Sequence, residues 1–271
     1  MTSIVIGAAS GMGAAVARQL ATRGPLLIAD RNQEALETFA AELGGDVDTA
    51  VCDVSDQAQI DALFAKIEEL DAVVNTAGVS GAQAPGRTVL DVNLIGMARV
   101  LRAAEPFLGP NTVAVCVASQ SGYMVPENQE LFAVLENPLS PSFYDDLNQF
   151  FDIEVPSLAY QASKRGVHRL VRRTAALWGQ SGARVMSLSP GINDTPMNRT
   201  EEAKNPVMLD MIKACPLGRR GTPEEIANVV SFLTSDAASY MTGSDVLVDG
   251  GMASVLPGSW AGKLRTPGSP S

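Results

Sequence analysis

Histidine is nearly missing from this sequence, cysteine is scarce, and lysine and arginine are outnumbered by acids. Cys52, Cys116 and Cys215 are odd in number, far apart and set in or near apolar segments, so buried reduced thiols are expected rather than disulfides. No metal-ligand spacing recurs around them, and no metal site is expected. Against 30 Asp and Glu stand 20 Lys and Arg, for a formal charge of −10 and a pI near 4.6. Such a surface repels a nucleic-acid backbone or an anionic membrane, so neither partner is expected. No run of about 18 apolar residues appears, which excludes a membrane-spanning helix. The strand-like "SIVIG" at Ser3 has no basic region and apolar stretch leading to a cleavage site, so a cytoplasmic location is expected.

What the chain does have is a regular alternation. With 271 residues, 46% apolar and 18% charged, it suits one ordered domain with a large core. Short runs rich in Val, Ile and Leu ("SIVIG", "PLLIAD", "DTAVCDV", "DAVVNTAG", "TVAVCVAS", "ARVMSLSP", "DVLVDGG") alternate with amphipathic stretches such as "NQEALETFAAELG" and "SDQAQIDALFAKIEEL". Continuous apolar strands joined by helices predict an α/β, doubly wound parallel sheet covered on both faces. Ser55 precedes the helix carrying Ile60 and Leu63, and Thr222-Pro223-Glu224-Glu225 reads as an N-cap, an N1 proline and an acidic first turn. The domain is expected over 1–256. A Gly/Pro/Ser-rich tail over 257–271 is expected to be mobile.

One segment breaks the rhythm. Residues 124–158 hold no Lys or Arg, but carry Glu127, Glu130, Glu136, Asp145, Asp146, Asp152 and Glu154 among five aromatic residues. Leu131 and Leu135, then Phe143, Leu147 and Phe150, keep helical spacing, so one or two short helices are predicted with Pro138 and Pro141 between them.

"VIGAASGMG" sets Gly7, Gly11 and Gly13 between the first strand and the first helix. Glycines there permit a tight turn and close approach of backbone to a pyrophosphate, with the helix N-terminus offering free N–H groups. Alone, the pattern equally fits an ordinary strand-to-helix turn. Asp30 sharpens it: a carboxylate ending the second strand accepts hydrogen bonds from adenosine ribose hydroxyls and repels a phosphate there, which points to NAD rather than NADP. Tyr160 and Lys164 stand four apart and so share a helix face. A nearby ammonium stabilises a phenolate and lowers the tyrosine pKa, making the phenol a usable acid or base. In isolation, so short a motif is more often a packed tyrosine with a solvated lysine.

The order of parts changes that weighting. The glycine turn, Asp30, "CDV" at 52–54, "NTAG" at 75–78, "VNLIG" with Asn93, "VASQSG" with Ser119, "YQASK" and "SPGINDTPM" together resemble the short-chain dehydrogenase/reductase family from Ser3 to about Leu256. Within it the chain is most similar to the NAD-dependent 3α-hydroxysteroid dehydrogenase/carbonyl reductase type, which also has a long insertion between its serine and tyrosine. The resemblance implies a single Rossmann-like domain of about seven parallel strands and hydride transfer between an alcohol or carbonyl and NAD. By that resemblance Tyr160 is the general acid/base, Lys164 binds the nicotinamide ribose and lowers the Tyr160 pKa, Ser119 hydrogen-bonds the substrate oxygen and Asn93 supports a water-linked proton relay. Asp53 and Val54 would border the adenine, and Asn75, Thr76, Ala77 and Gly78 would line the cofactor cleft. Ile192 and Thr195 would hold the carboxamide. Ser10, Met12, Arg31, Pro190 and Gly191 complete the implied cofactor set.

The chain departs from the family pattern at Ile6, at Thr76 and in its short segment from Gly78 to Asn93. The step from Ser119 to Tyr160 is 41 residues, much longer than usual, so a homo-oligomer is expected without assuming a tetramer. Ser121 is a rival to Ser119. His168, two turns or about 12 Å beyond Tyr160, is expected to pack rather than react. Arg169, Arg172 and Arg173 are expected to pair with acidic neighbours. Because it is anchored at both ends beside the reacting centre, the insertion is expected to wall the substrate cleft together with 193–220, the latter acting as a lid. An apolar, cation-free wall suits a neutral alicyclic or steroid-like alcohol. Two alternatives remain: a 3-oxoacyl reductase acting on carrier-protein or coenzyme A substrates, and a non-catalytic NAD-binding protein. Cells keep NAD oxidised, so alcohol oxidation is the expected direction.

Overall fold

The computed structural model describes residues 1–205 and 207–255. The tail expected over 257–271 lies outside the described residues. Seven strands form one sheet in the order β3-β2-β1-β4-β5-β6-β7, all parallel: β1 (Thr2–Ile6), β2 (Leu26–Asp30), β3 (Val47–Val51), β4 (Leu70–Asn75), β5 (Val113–Val117), β6 (Arg184–Pro190) and β7 (Asp245–Val248). Along β1, Ile4 and Ile6 enter the core on one face and Val5 the core on the other, all three fully buried. That two-residue period with no polar position is why the strands read as continuous apolar runs.

Helices α1 (Gly11–Leu20) and α2 (Gln33–Leu43) cover one face, and α3 (Gln57–Phe64), α4 (Gly86–Leu90) and α5 (Gly96–Ala104) the other. The α2 start is capped by Asn32, whose side chain accepts from the Ala35 N–H at 3.1 Å. The α3 cap is Asp56, not Ser55. The Ser55 hydroxyl instead donates to Asp53 Oδ1 at 2.6 Å, and α3 ends at Phe64 because residues 65–69 turn the chain into β4. Between α4 and α5 the helix widens into a π turn over Asp91–Ile95, a form that concentrates at functional sites.

The insertion forms α6 (Gln129–Leu135) and α7 (Phe143–Asn148), followed by the long α8 (Pro156–Trp178) with Pro156 at its first turn. Leu131, Phe132, Leu135, Phe143, Leu147, Phe150 and Phe151 are buried in the same core as α4, α5 and α8. Phe132 lies between two guanidinium groups, Arg165 at 4.6 Å and Arg169 at 4.8 Å. Arg165 also pairs with Glu127, and Arg169 with Glu136. Arg173 donates to the Glu136 carbonyl and to Asn137 Oδ1, each at 2.8 Å, while Arg172 is exposed. Two of the insertion's acids, Glu127 and Glu136, therefore dock it to α8. Beyond β6 come α9 (Pro196–Lys204), α10 (Val207–Ala214) and α11 (Pro223–Leu233). A reciprocal Thr222–Glu225 capping box starts α11 and matches the sequence reading. No described helix is long and apolar enough to cross a membrane.

Candidate active site

The strand order reverses between β1 and β4, and the carboxyl ends of strands flanking such a point leave a crevice. A cavity of about 360 Å³ opens there. Its floor is the glycine turn. At Gly7 the backbone takes φ +80°, and a Cβ on Gly13 would lie 2.0 Å from the Gly7 carbonyl oxygen, so neither position accepts a side chain. The Thr76 hydroxyl donates to the Ile6 carbonyl at 2.8 Å and thereby locks β4 to the start of the turn. Asp30 Oδ2 accepts the Ala9 N–H at 3.1 Å and Oδ1 the Asn32 N–H at 3.0 Å, which fixes the carboxylate at the cavity edge.

Most of the expected cofactor residues meet in this cavity: Gly7, Ser10, Gly11, Met12, Gly13, Asp30, Arg31, Asp53, Val54, Thr76, Ala77, Gly78, Pro190, Gly191 and Thr195. Two do not. Asn75 is buried behind the lining, where Nδ2 donates to Met97 Sδ at 3.4 Å and Oδ1 accepts the Ala77 N–H at 3.0 Å; it shapes the loop without facing the cleft. Ile192 lines a separate small hollow, and its neighbour Asn193 reaches the cavity instead. Cys52, Val79, Gln83 and Val92 also line it and were assigned no role in the sequence reading, while Met197 and Thr200 line it from within the expected 193–220 segment.

At the far end Ser119 and Tyr160 face the same cavity. Ser121 does not line it; its backbone N–H donates to Ser119 Oγ at 3.2 Å. Burial drives the Tyr160 phenol up to about 12, with the Ser119 hydroxyl acting in the opposite direction and the charge of Glu201 adding to the rise. Lys164 is buried behind Tyr160, with Nζ 5.7 Å from the ring centre and donating to the Val117 carbonyl at 3.2 Å. Its own pKa falls to about 8 through burial. Burial is thus the dominant influence on the phenol, standing against the lowering that the sequence reading expects from the Lys164 ammonium.

Asn93 sits in the π turn with both ends of its amide engaged: Oδ1 accepts the Val79 N–H and Nδ2 donates to the Val79 carbonyl, each at 2.9 Å. Nδ2 also lies 3.4 Å from Ser163 Oγ, whose hydroxyl donates to the Tyr160 carbonyl at 2.7 Å. His168 packs as expected, buried beneath Tyr123 with its Nε2 2.8 Å from Ser189 Oγ. The insertion contributes none of the cavity's lining, because its apolar face is turned onto α8 and the core. The cleft is walled by Val79 and Gln83 together with Met197 and Thr200 of the 193–220 segment.

Residues 2–133 match the family profile described as short chain dehydrogenase, and residues 153–253 match that described as enoyl-(acyl carrier protein) reductase. The gap between them falls within the insertion. The chain is 32% identical to cis-4-hydroxycyclohexanecarboxylate dehydrogenase of Sinomonas cyclohexanicum, across 93% of this chain and 96% of the relative. It is 29% identical to 3-alpha-hydroxysteroid dehydrogenase/carbonyl reductase of Comamonas testosteroni, across 94% and 98%. The crystal structure of levodione reductase superposes with a TM-score of 0.77 at 28% identity, covering 94% of this chain and 98% of that one. The chain thus belongs to the short-chain dehydrogenase/reductase family of nicotinamide-dependent enzymes acting on alcohols and ketones.

Proposed function

We propose that the protein exchanges hydride between NAD and a neutral secondary alcohol or ketone of alicyclic or steroid-like shape. The observation that carries this reading is one continuous cavity running from Asp30, past the glycine turn, to Ser119 and Tyr160. The turn that no Cβ can enter fits a pyrophosphate, and the fixed Asp30 carboxylate fits the hydroxyls of an unphosphorylated ribose while opposing a phosphate. When bound, the nicotinamide supplies or receives the hydride.

The protein's share is proton handling and orientation. The Tyr160 hydroxyl gives its proton to a carbonyl oxygen during reduction, and the phenolate takes it back during oxidation. The Ser119 hydroxyl donates to the same oxygen as charge grows there. The Lys164 ammonium stabilises the phenolate form, and Asn93 holds the Val79 backbone and Ser163 in place behind it. Neutral substrates are supported by the apolar wall of Val79, Val92 and Met197. Exposed Leu177, Phe232, Tyr240 and Leu247 support the assembly of copies into a homo-oligomer.

The test is reduction of NAD and of NADP, followed by absorbance, with a panel of cyclic alcohols and hydroxysteroids. The reading predicts turnover of neutral ring alcohols with NAD at least tenfold more efficient than NADP. Preference for NADP with acyl-carrier substrates would contradict it.

A further inference from the structure

Behind the reacting end of the cavity lies a chain of polar side chains with no part in the mechanism above. The Ser189 hydroxyl on β6 donates to Asp245 Oδ1 on β7 at 3.0 Å, and the Tyr123 hydroxyl donates to Asp245 Oδ2 at 2.7 Å. His168 Nε2 on α8 lies 2.8 Å from Ser189 Oγ and 3.4 Å from Asp245 Oδ1. Ser189 is fully buried, and the His168 and Asp245 side chains are nearly so. Counting hydrogens fixes the direction of the chain. The Ser189 hydrogen is committed to Asp245, and a carboxylate only accepts, so the hydrogen between His168 and Ser189 sits on Nε2. The carboxylate 3.4 Å away favours the same tautomer. Burial holds the imidazole pKa below its ordinary value, against the opposing pull of Asp245.

The chain ends on the turn that carries Ser119. This residue caps a short 3-10 helix, Gln120–Met124, with its Oγ accepting the Ser121 N–H at 3.2 Å and its carbonyl the Gly122 N–H at 3.0 Å. Gly122 lies flat on α8: a Cβ there would fall 2.7 Å from His168 Cε1 and 3.0 Å from the Lys164 carbonyl carbon. The neighbouring Tyr123 ring has its centre 5.0 Å from that of His168. The turn is therefore gripped by α8 at Gly122 and by β7 at Tyr123, one turn of chain beyond Ser119. Apolar packing is non-directional and would let such a turn slide. A buried polar chain with every member satisfied holds a single arrangement.

Resting on the role proposed for Ser119, we infer that Tyr123 and His168 are positioning residues. Through Asp245 and Ser189 they hold the 119–124 turn against α8, so that the Ser119 hydroxyl meets the same substrate oxygen as Tyr160. Neither Tyr123 nor His168 lines the cavity, and their effect passes through Ser119. A displacement of about 1 Å at such a donor costs up to about 10²-fold in rate.

The experiment is a double-mutant cycle on the full chain, with NAD and the best-oxidised ring alcohol of the panel above. Tyr123→Phe keeps the ring and removes the hydrogen bond; it is expected to lower kcat about tenfold, with KM for NAD within about twofold of wild type. In a Ser119→Ala background the same substitution is expected to change kcat by less than about twofold, because residues that act as one unit are not additive. His168→Gln, whose amide places an N–H near the Nε2 position, is expected to keep turnover that His168→Leu loses. The chain has one histidine, so long-range proton–nitrogen correlation NMR on histidine-labelled protein reads its tautomer directly, and Nε2–H is expected. The inference is overturned by an equal loss in both backgrounds, by unchanged kcat in Tyr123→Phe, by equal losses in the two His168 variants, or by a proton on Nδ1 with Nε2 bare. Absence of turnover by wild type, or turnover undiminished by Ser119→Ala alone, would instead strike the proposed chemistry, and the inference with it.

Discussion

The Tyr144 hydroxyl donates to the Asp91 carboxylate, joining the second insertion helix to the π turn that carries Asn93. Arg87 completes the link, with its guanidinium 4.2 Å above the Tyr144 ring and 3.8 Å from Glu154. A hydrogen bond to a charged acceptor in a half-buried place contributes about 1–2 kcal/mol. Tyr144→Phe is expected to lower unfolding free energy by that amount in urea titrations. An unchanged midpoint would show that the bond merely decorates the surface.

The apolar face of the insertion packs into the core, and Phe132 tests what that packing contributes. It is fully buried between Arg165 and Arg169. Replacing a buried phenylalanine by alanine removes its transfer energy and leaves a cavity, a loss of about 3–5 kcal/mol. Phe132→Ala should therefore lower the melting temperature by several degrees or more. A variant as stable as wild type but altered in KM for alcohol would restore the cleft-wall reading.

The strands were legible because a parallel sheet buried on both faces leaves few polar positions, as Ile4, Val5 and Ile6 show. Other features depend on three-dimensional contacts. The helical pattern of 55–70 overran α3 because Ile67 and Leu70 keep the apolar spacing while the backbone is already turning into β4. The side on which the insertion docks was invisible from its own composition. Its signal lay elsewhere, in Arg165, Arg169 and Arg173 at four-residue spacing, which meet Glu127, Glu136 and the Glu136 carbonyl. The motif brought Ser119, Tyr160 and Lys164 to one end of the fold, but it carried no information on burial. The direction of the phenol pKa could not be read from it.

Lys164 shows a conflict between stability and function. Burial depresses its pKa from an ordinary 10.5 to about 8. Between those values the unfolded chain holds a proton that the folded chain has shed, so stability rises with pH across the window, and below pH 8 the full cost of burying the charge is present. Lys164→Met is expected to be more stable than wild type by about 1–3 kcal/mol at pH 7, with the difference shrinking as pH rises toward 10. Turnover should be lost. Urea unfolding at pH 7, 9 and 10 reads this directly, and a variant less stable at pH 7 would contradict it.

Of Tyr160 and Lys164, neighbours on one helix face, Lys164 has the lower pKa, so the first proton to leave the site does so near pH 8. Phenolate with ammonium and phenol with neutral amine hold the same number of protons, so loss of that proton prepares the site for oxidation whichever atom releases it. The kcat/KM for alcohol oxidation is expected to rise through pH 8, and that for ketone reduction to fall. In Lys164→Arg, whose guanidinium keeps its charge, the inflection should leave this range. An identical profile in the variant would assign the ionisation to another group.

Tyr160→Phe removes one oxygen from the cavity that Asp30 and the glycine turn share. Measured side by side, NAD affinity by fluorescence titration and single-turnover oxidation of a ring alcohol should separate: affinity within about threefold of wild type, turnover lower by about 10³ or more. A variant that oxidises alcohol at the wild-type rate would contradict the assignment of Tyr160 as the proton-transferring group.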